Sequence, residues 1–105
     1  VSLDSFVNKN QIGKVDLIKI DTEATEHIVL EGAKHILKRD KPMILCEVLK
    51  SRRTEKFLEA LLSKFGYKYY WITDDGLSQR ATIEGDIANK YRNYLFCQQD
   101  GLTSA

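Results

Sequence analysis

The constraint that most narrows the fold is a pair of short, nearly all-apolar runs separated by a helical pattern. The first, residues 15–21, reads Val15-Asp16-Leu17-Ile18-Lys19-Ile20-Asp21 and ends at two acids, Asp21 and Glu23. The second, residues 42–49, holds Met43, Ile44, Leu45, Cys46, Val48 and Leu49, with Glu47 as its charged member. Strands this apolar expect burial on both faces, hence parallel pairing under helices. Between them, residues 25–38 carry Ile28, Val29, Leu30, Ala33, Ile36 and Leu37 at helical spacing. Lys34, Lys38 and Arg39 crowd the carboxyl end of that helix, where positive charge suits its dipole. Pro42 closes the crossover, because it restricts Lys41 and cannot extend a helix.

The same logic organises the rest of the chain. A short helix over residues 3–9 has Ser2 placed as its cap. Residues 10–14, with Gly13, form a turn. Phe57, Leu58, Leu61, Leu62 and Phe65 mark an apolar stripe on a helix over residues 51–65, which Gly66 would cap. Residues 67–73 are an aromatic strand ended by the turn signal Asp75-Gly76. Residues 77–90 are the least regular, with Ile83 and Ile87 as anchors for a short helix or lid, and residues 91–98 form a last strand. The order is that of an α/β protein. Right-handed crossovers would put the two long helices on one face of the sheet. Much of the second face, and one edge of the first strand, would then be bare. An unpaired edge invites pairing with another copy, so self-association is expected.

Charge excludes several partner classes. Sixteen basic and fifteen acidic side chains leave a formal net charge of +1, which offers no electrostatic case for nucleic acid or an anionic membrane. The short cluster Lys50, Arg52 and Arg53 reads as a solvated helix start, and the tyrosines with Trp71 as packing groups, not a base-stacking platform. Cys46 and Cys97 both lie in apolar runs and read as buried thiols, which fits a reducing, cytoplasmic setting. No run approaches membrane-spanning length, and Val1 to Lys14 lack the apolar stretch of a signal peptide. A first residue of Val rather than Met hints at a processed product or a segment of something longer.

The candidate chemistry gathers at the first strand's acidic end. Ligands of open α/β sheets bind outside the carboxyl ends of the strands. If the extended conformation persists, Asp21 and Glu23 point to one side. Glu47 enters the same crevice if the two strands align. Such carboxylates can bind a metal, an amine or a hydroxyl, or act as bases. The structural alternative is that Asp21 ends a strand, that Glu23 and Glu26 serve a helix dipole, and that His27 and His35 are surface residues. The spacing of these residues is not diagnostic of a metal site. Gly13, Gly32, Gly66, Gly76, Gly85 and Gly101 form no glycine-rich nucleotide loop.

Several motifs together resemble the FkbM-like methyltransferases. They are Leu3-Asp4-Ser5-Phe6, the signature strand Asp16-Leu17-Ile18-Lys19-Ile20-Asp21-Thr22-Glu23, and Leu30-Glu31-Gly32-Ala33. Lys41-Pro42-Met43-Ile44-Leu45-Cys46-Glu47-Val48, Gly66-Tyr67 and Asn93-Tyr94-Leu95-Phe96 follow in order. Within the signature, Ala24-Thr25 replaces the family's usual glycine and alanine, which suits a helical position and not one needing positive φ. The resemblance implies a partial doubly wound, Rossmann-like methyltransferase sheet, mostly parallel, whose last strand inserts antiparallel between the two before it. It implies that residues 1–105 are the carboxyl-terminal portion of the domain, without the glycine-rich half that binds S-adenosylmethionine. The complete enzyme would methylate a hydroxyl of a small molecule or glycan. Asp21 would line the donor and acceptor crevice, with Glu23 and Glu47 as acceptor ligands or base. The isolated chain is expected to bind no S-adenosylmethionine and to be inactive alone. A non-catalytic assembly module is the alternative.

Overall fold

A computed structural model of the chain describes residues 2–11, 13–20, 26–48, 54–86, 88 and 90–98, with the side chains of Glu26 and His27 set aside. The chain begins with helix α1 (Leu3–Lys9), strand β1 (Leu17–Ile20), helices α2 (Glu26–Glu31) and α3 (Lys34–Arg39), and strand β2 (Met43–Glu47). Helix α4 (Thr54–Ser63) and strands β3 (Lys68–Thr73), β4 (Gly76–Arg80) and β5 (Asn93–Cys97) complete it. The sheet order is β1-β2-β5-β3-β4.

This sheet corrects the expected fold class. Among the described strands only β1 and β2 pair in parallel, whereas β2–β5, β5–β3 and β3–β4 are antiparallel. The sheet is mixed, not a mostly parallel Rossmann-like one. The last strand does insert antiparallel between the two before it, and that insertion is the cause. It separates β2 from β3 and replaces one parallel contact with two antiparallel ones. The second correction is β4, which falls where irregular chain was expected. It folds back on β3 with Thr73 opposite Gly76, and Gly76 takes φ 102°. Only Leu77 is apolar in Leu77-Ser78-Gln79-Arg80, so an edge strand made by backbone pairing leaves no apolar alternation to read.

The predicted helix over residues 25–38 is two helices, broken at Gly32-Ala33. The break is built from the amino-terminal segment. The Asp4 N–H donates to the Gly32 carbonyl at 2.8 Å. The Asp4 carboxylate accepts from the backbone N–H groups of His35 at 2.9 Å and Ile36 at 3.0 Å, so it caps α3 from 31 residues away. A Cβ on Gly32 would lie 3.0 Å from Ser2 Cβ, tighter than packing normally allows. Ser2 in turn caps α1 as expected, accepting from the Ser5 N–H at 3.1 Å. Helix α4 ends as read from the sequence, with Gly66 at φ 75° and the Tyr67 N–H donating to the Leu62 carbonyl.

One core unites the elements. Ile18 and Ile20 of β1, Ile44 and Cys46 of β2, Tyr94 and Phe96 of β5 and Tyr69 of β3 form one face of the sheet. Leu30, Ile36, Leu37, Leu58, Leu61 and Leu62 from the helices pack with them. The alternating residues make the second face. There Tyr70 and Cys97 are buried, Leu45 and Leu95 half-buried, and Leu17 is 59% and Met43 38% exposed. Strand β1 has no second neighbour among the described strands.

Candidate active-site rim

The register of β1 on β2 runs from Leu17 opposite Met43 to Ile20 opposite Cys46. The next residue along the chain is Asp21 after one strand and Glu47 after the other. The two acids expected to share a crevice thus follow directly from a paired position. Asp21 and Glu23 themselves lie outside the described residues, as do Ala24-Thr25, Ile87 and the Lys50, Arg52 and Arg53 cluster. Glu47 is described. Its side chain is 22% exposed and points to the same face as Leu45, where Arg92 Nη1 stands 3.7 Å from Oε1. A partly buried carboxylate in an apolar strand requires such a partner. The backbone holds the pair in place: Glu47 opposes Asn93 in the β2–β5 ladder, and the Val48 N–H donates to the Arg92 carbonyl at 2.6 Å.

Antiparallel β5 brings its amino end to the carboxyl ends of β2 and β3, so one rim collects residues from distant parts of the chain. Trp71 Nε1 donates to the Tyr91 carbonyl at 3.0 Å, and the two rings meet edge to face at 5.9 Å. Tyr91 Oη donates to Asp74 Oδ2 at 2.7 Å. Arg80 lies over the Trp71 ring at 5.2 Å. The Asp86 carboxylate accepts from the N–H groups of Ala88, Lys90 and Tyr91. The Tyr91 bond chiefly holds its pKa below the usual aspartate value.

A strap behind the rim is tied to α4. Glu59 Oε1 accepts from the Ile83 N–H at 2.8 Å and Glu55 Oε2 from the Gly85 N–H at 2.5 Å. Tyr94 Oη donates to the Glu84 carbonyl and accepts from the Glu84 N–H, while burial raises the Tyr94 pKa. The rim therefore carries a fixed carboxylate beside a guanidinium on the Leu45 face, while Trp71, by its register, lies on the opposite face. Beyond its contact with Arg92, Glu47 has acceptor positions that suit a hydroxyl.

The sequence singled out Glu47 as a candidate and not Arg92, Trp71, Tyr91 or Asp74, which the structure places along the same rim. The signal that could have found Arg92 is its place immediately before a strand that runs antiparallel to β2. Among the described residues no three metal-ligating side chains cluster, and no helix is long and apolar enough to cross a membrane. The family model described as the methyltransferase FkbM domain matches residues 1–69, from α1 to the start of β3. The match ends before β4 and β5. No curated protein and no solved structure matches the chain.

Proposed function

Because the chain belongs to the methyltransferase FkbM domain family, we propose that it is the carboxyl-terminal portion of an S-adenosylmethionine-dependent methyltransferase domain. In complete form that domain methylates a hydroxyl of a small molecule or glycan. The observation that carries this reading is the family match over residues 1–69, which includes the acid-ended strand and its partner strand. In the proposed roles, Asp21 lines the crevice shared by donor and acceptor. Glu23 and Glu47 bind the acceptor hydroxyl or take its proton. Rate enhancement rests mainly on holding the two reactants in line.

The described residues do not themselves fit the methyl donor. Close approach of backbone to a nucleotide needs glycines clustered in a tight turn. Around Gly13, Gly66 and Gly76 an added Cβ would meet nothing within 4 Å, and the close neighbour of Gly32 is Ser2. The donor's cradle therefore belongs, in this reading, to a glycine-rich segment outside these 105 residues. Calorimetric titration of the chain with S-adenosylmethionine should show no specific binding, and tight one-to-one binding would overturn this division. If an upstream in-frame segment encodes a glycine-rich strand-turn-helix, the joined protein should transfer labelled methyl groups. Glu47→Gln and Asp21→Asn should then each lower kcat by about 100-fold, the scale of positioned acid–base groups. Unchanged transfer in both would remove these residues from the chemistry.

A specific observation also favours an assembly role. The edge of β1, which has no second neighbour among the described strands, and the exposed Leu17 and Met43 form a margin that a second copy can cover. Self-association through this edge suits the enzyme or a non-catalytic module equally, and a monomer in sedimentation at moderate concentration would count against it. Cytoplasmic placement is part of the proposal. It rests on two buried cysteines whose strand positions fall on opposite faces of the sheet, which does not bring them together as a disulfide pair.

A further inference from the structure

At the end of the sheet opposite the rim, Lys38, Lys41, Lys64, Phe65 and Gln98 line one open cleft of about 410 Å³. Three lysines from different elements line it: Lys38 in the last turn of α3, Lys41 in the link to β2, and Lys64 directly after α4. Among the described residues no carboxylate lines the cleft or pairs with any of the three lysines. Like charges gathered around one cavity repel unless an anion joins them. The dipoles of α3 and α4 account for Lys38 and Lys64 singly. They do not account for Lys41.

Lys41 is held in place by its neighbours. Its backbone has φ 51°, a conformation that favours glycine and is costly for a long side chain. The surroundings hold it there. On one side, the Asp40 carboxylate is bound by the Arg39 guanidinium and accepts from the Val15 N–H at 2.9 Å. On the other, the carbonyl of buried Pro42 accepts from Tyr67 Oη at 2.7 Å. Gln98 Nε2 donates to the Phe65 carbonyl at 2.6 Å and fixes the far wall. Lys41 follows the Asp40 cap of α3, where helices commonly end in a left-handed residue, and these anchors hold its backbone at the cleft wall.

We propose that this cleft binds a small, multiply charged oxyanion of the phosphate class, with Lys38, Lys41 and Lys64 as its ligands. The size of the cleft and the chain's net charge of +1 suit a compact anion rather than the track of a nucleic acid. The site is separate from the rim and stands or falls independently of methyl transfer.

The test is calorimetric titration of the folded chain with sodium tripolyphosphate, at low and at moderate salt. The expected result is one-to-one binding that weakens as salt rises. Lys41→Gly should bind about tenfold more weakly, the scale of one charge-assisted hydrogen bond, while its Tm is unchanged or higher because glycine relieves the backbone. Lys38→Gln/Lys64→Gln should lose about 100-fold on the same scale. A parallel arm measures co-sedimentation with phosphatidylcholine vesicles with and without a phosphoinositide. Capture by the phosphoinositide vesicles, with no response to tripolyphosphate, would identify a lipid headgroup as the source of the phosphate. Response to the soluble probe alone would identify a free anion. No binding in either arm, or variants that bind like the parent, would overturn the proposal.

Discussion

The two margins of the sheet solve the same problem in opposite ways. Around β5 and β3 the sheet is packed on both faces: Phe96 and Tyr94 stack in the core with ring centroids 5.7 Å apart, and Tyr70 is fully buried behind them. The outer strand on that side, β4, is short and polar, with Arg80 laid over Trp71. It blunts the edge in the way natural sheets do. Around β1 the helices cover one face only. Leu17 is 59% exposed, and the outer backbone groups of the strand have no partner strand among the described residues. One margin is thus closed off within the described residues, whereas the other has one face and one strand edge without a partner among them.

The contrast can be broken most directly in the finished margin. Phe96→Ala should cost about 3–5 kcal/mol in urea unfolding, because it opens a cavity in a fully packed site. A loss below about 1 kcal/mol would mean that this half is no better packed than the β1 side. Glu55→Ala removes the acceptor of the Gly85 N–H and should cost about 1–3 kcal/mol. It should also raise amide exchange in residues 83–86, which would be unmoved if the strap were held by packing alone.

Asp4→Ala tests the coupling of α1 to α3 and should cost about 1–2 kcal/mol, the range for losing a helix cap. Acid should act at the β1 side through Asp40. Its carboxyl is lowered from 3.8 to about 2, first by the Arg39 hydrogen bond and then by the Val15 N–H. A depressed folded pKa stabilises above the unfolded value and is lost as pH falls through the folded one. The stability gap between the parent and Asp40→Asn should therefore be full above about pH 4 and close toward pH 2. A gap that stays constant across that range would mean that the Asp40 charge is not the stabilising form. The smallest effect belongs to Leu17→Lys. Stability should change by less than about 0.5 kcal/mol, as for other exposed positions, while self-association seen by sedimentation should fall.

Sequence alone determined the elements whose signals are local. The Ser2 cap of α1, the helical stripe of Leu58, Leu61 and Leu62, the Gly66 terminus and the two apolar strands all follow from spacing and from single-residue conformational preference. So does the membership of a methyltransferase family, because its motifs are contiguous. Tertiary structure decided the rest. No local pattern marks Asp4 as the cap of a helix 31 residues away, and so α2 and α3 read as one helix. Strand pairing is not encoded in apolar content: the family resemblance implied the antiparallel insertion of β5, but not the antiparallel β4, and the described sheet is mixed rather than mostly parallel. The same insertion set Arg92 against Glu47. It brought Tyr91 beside Trp71 as well, making a rim from residues whose proximity depends on pairing across the sheet rather than on distance along the chain.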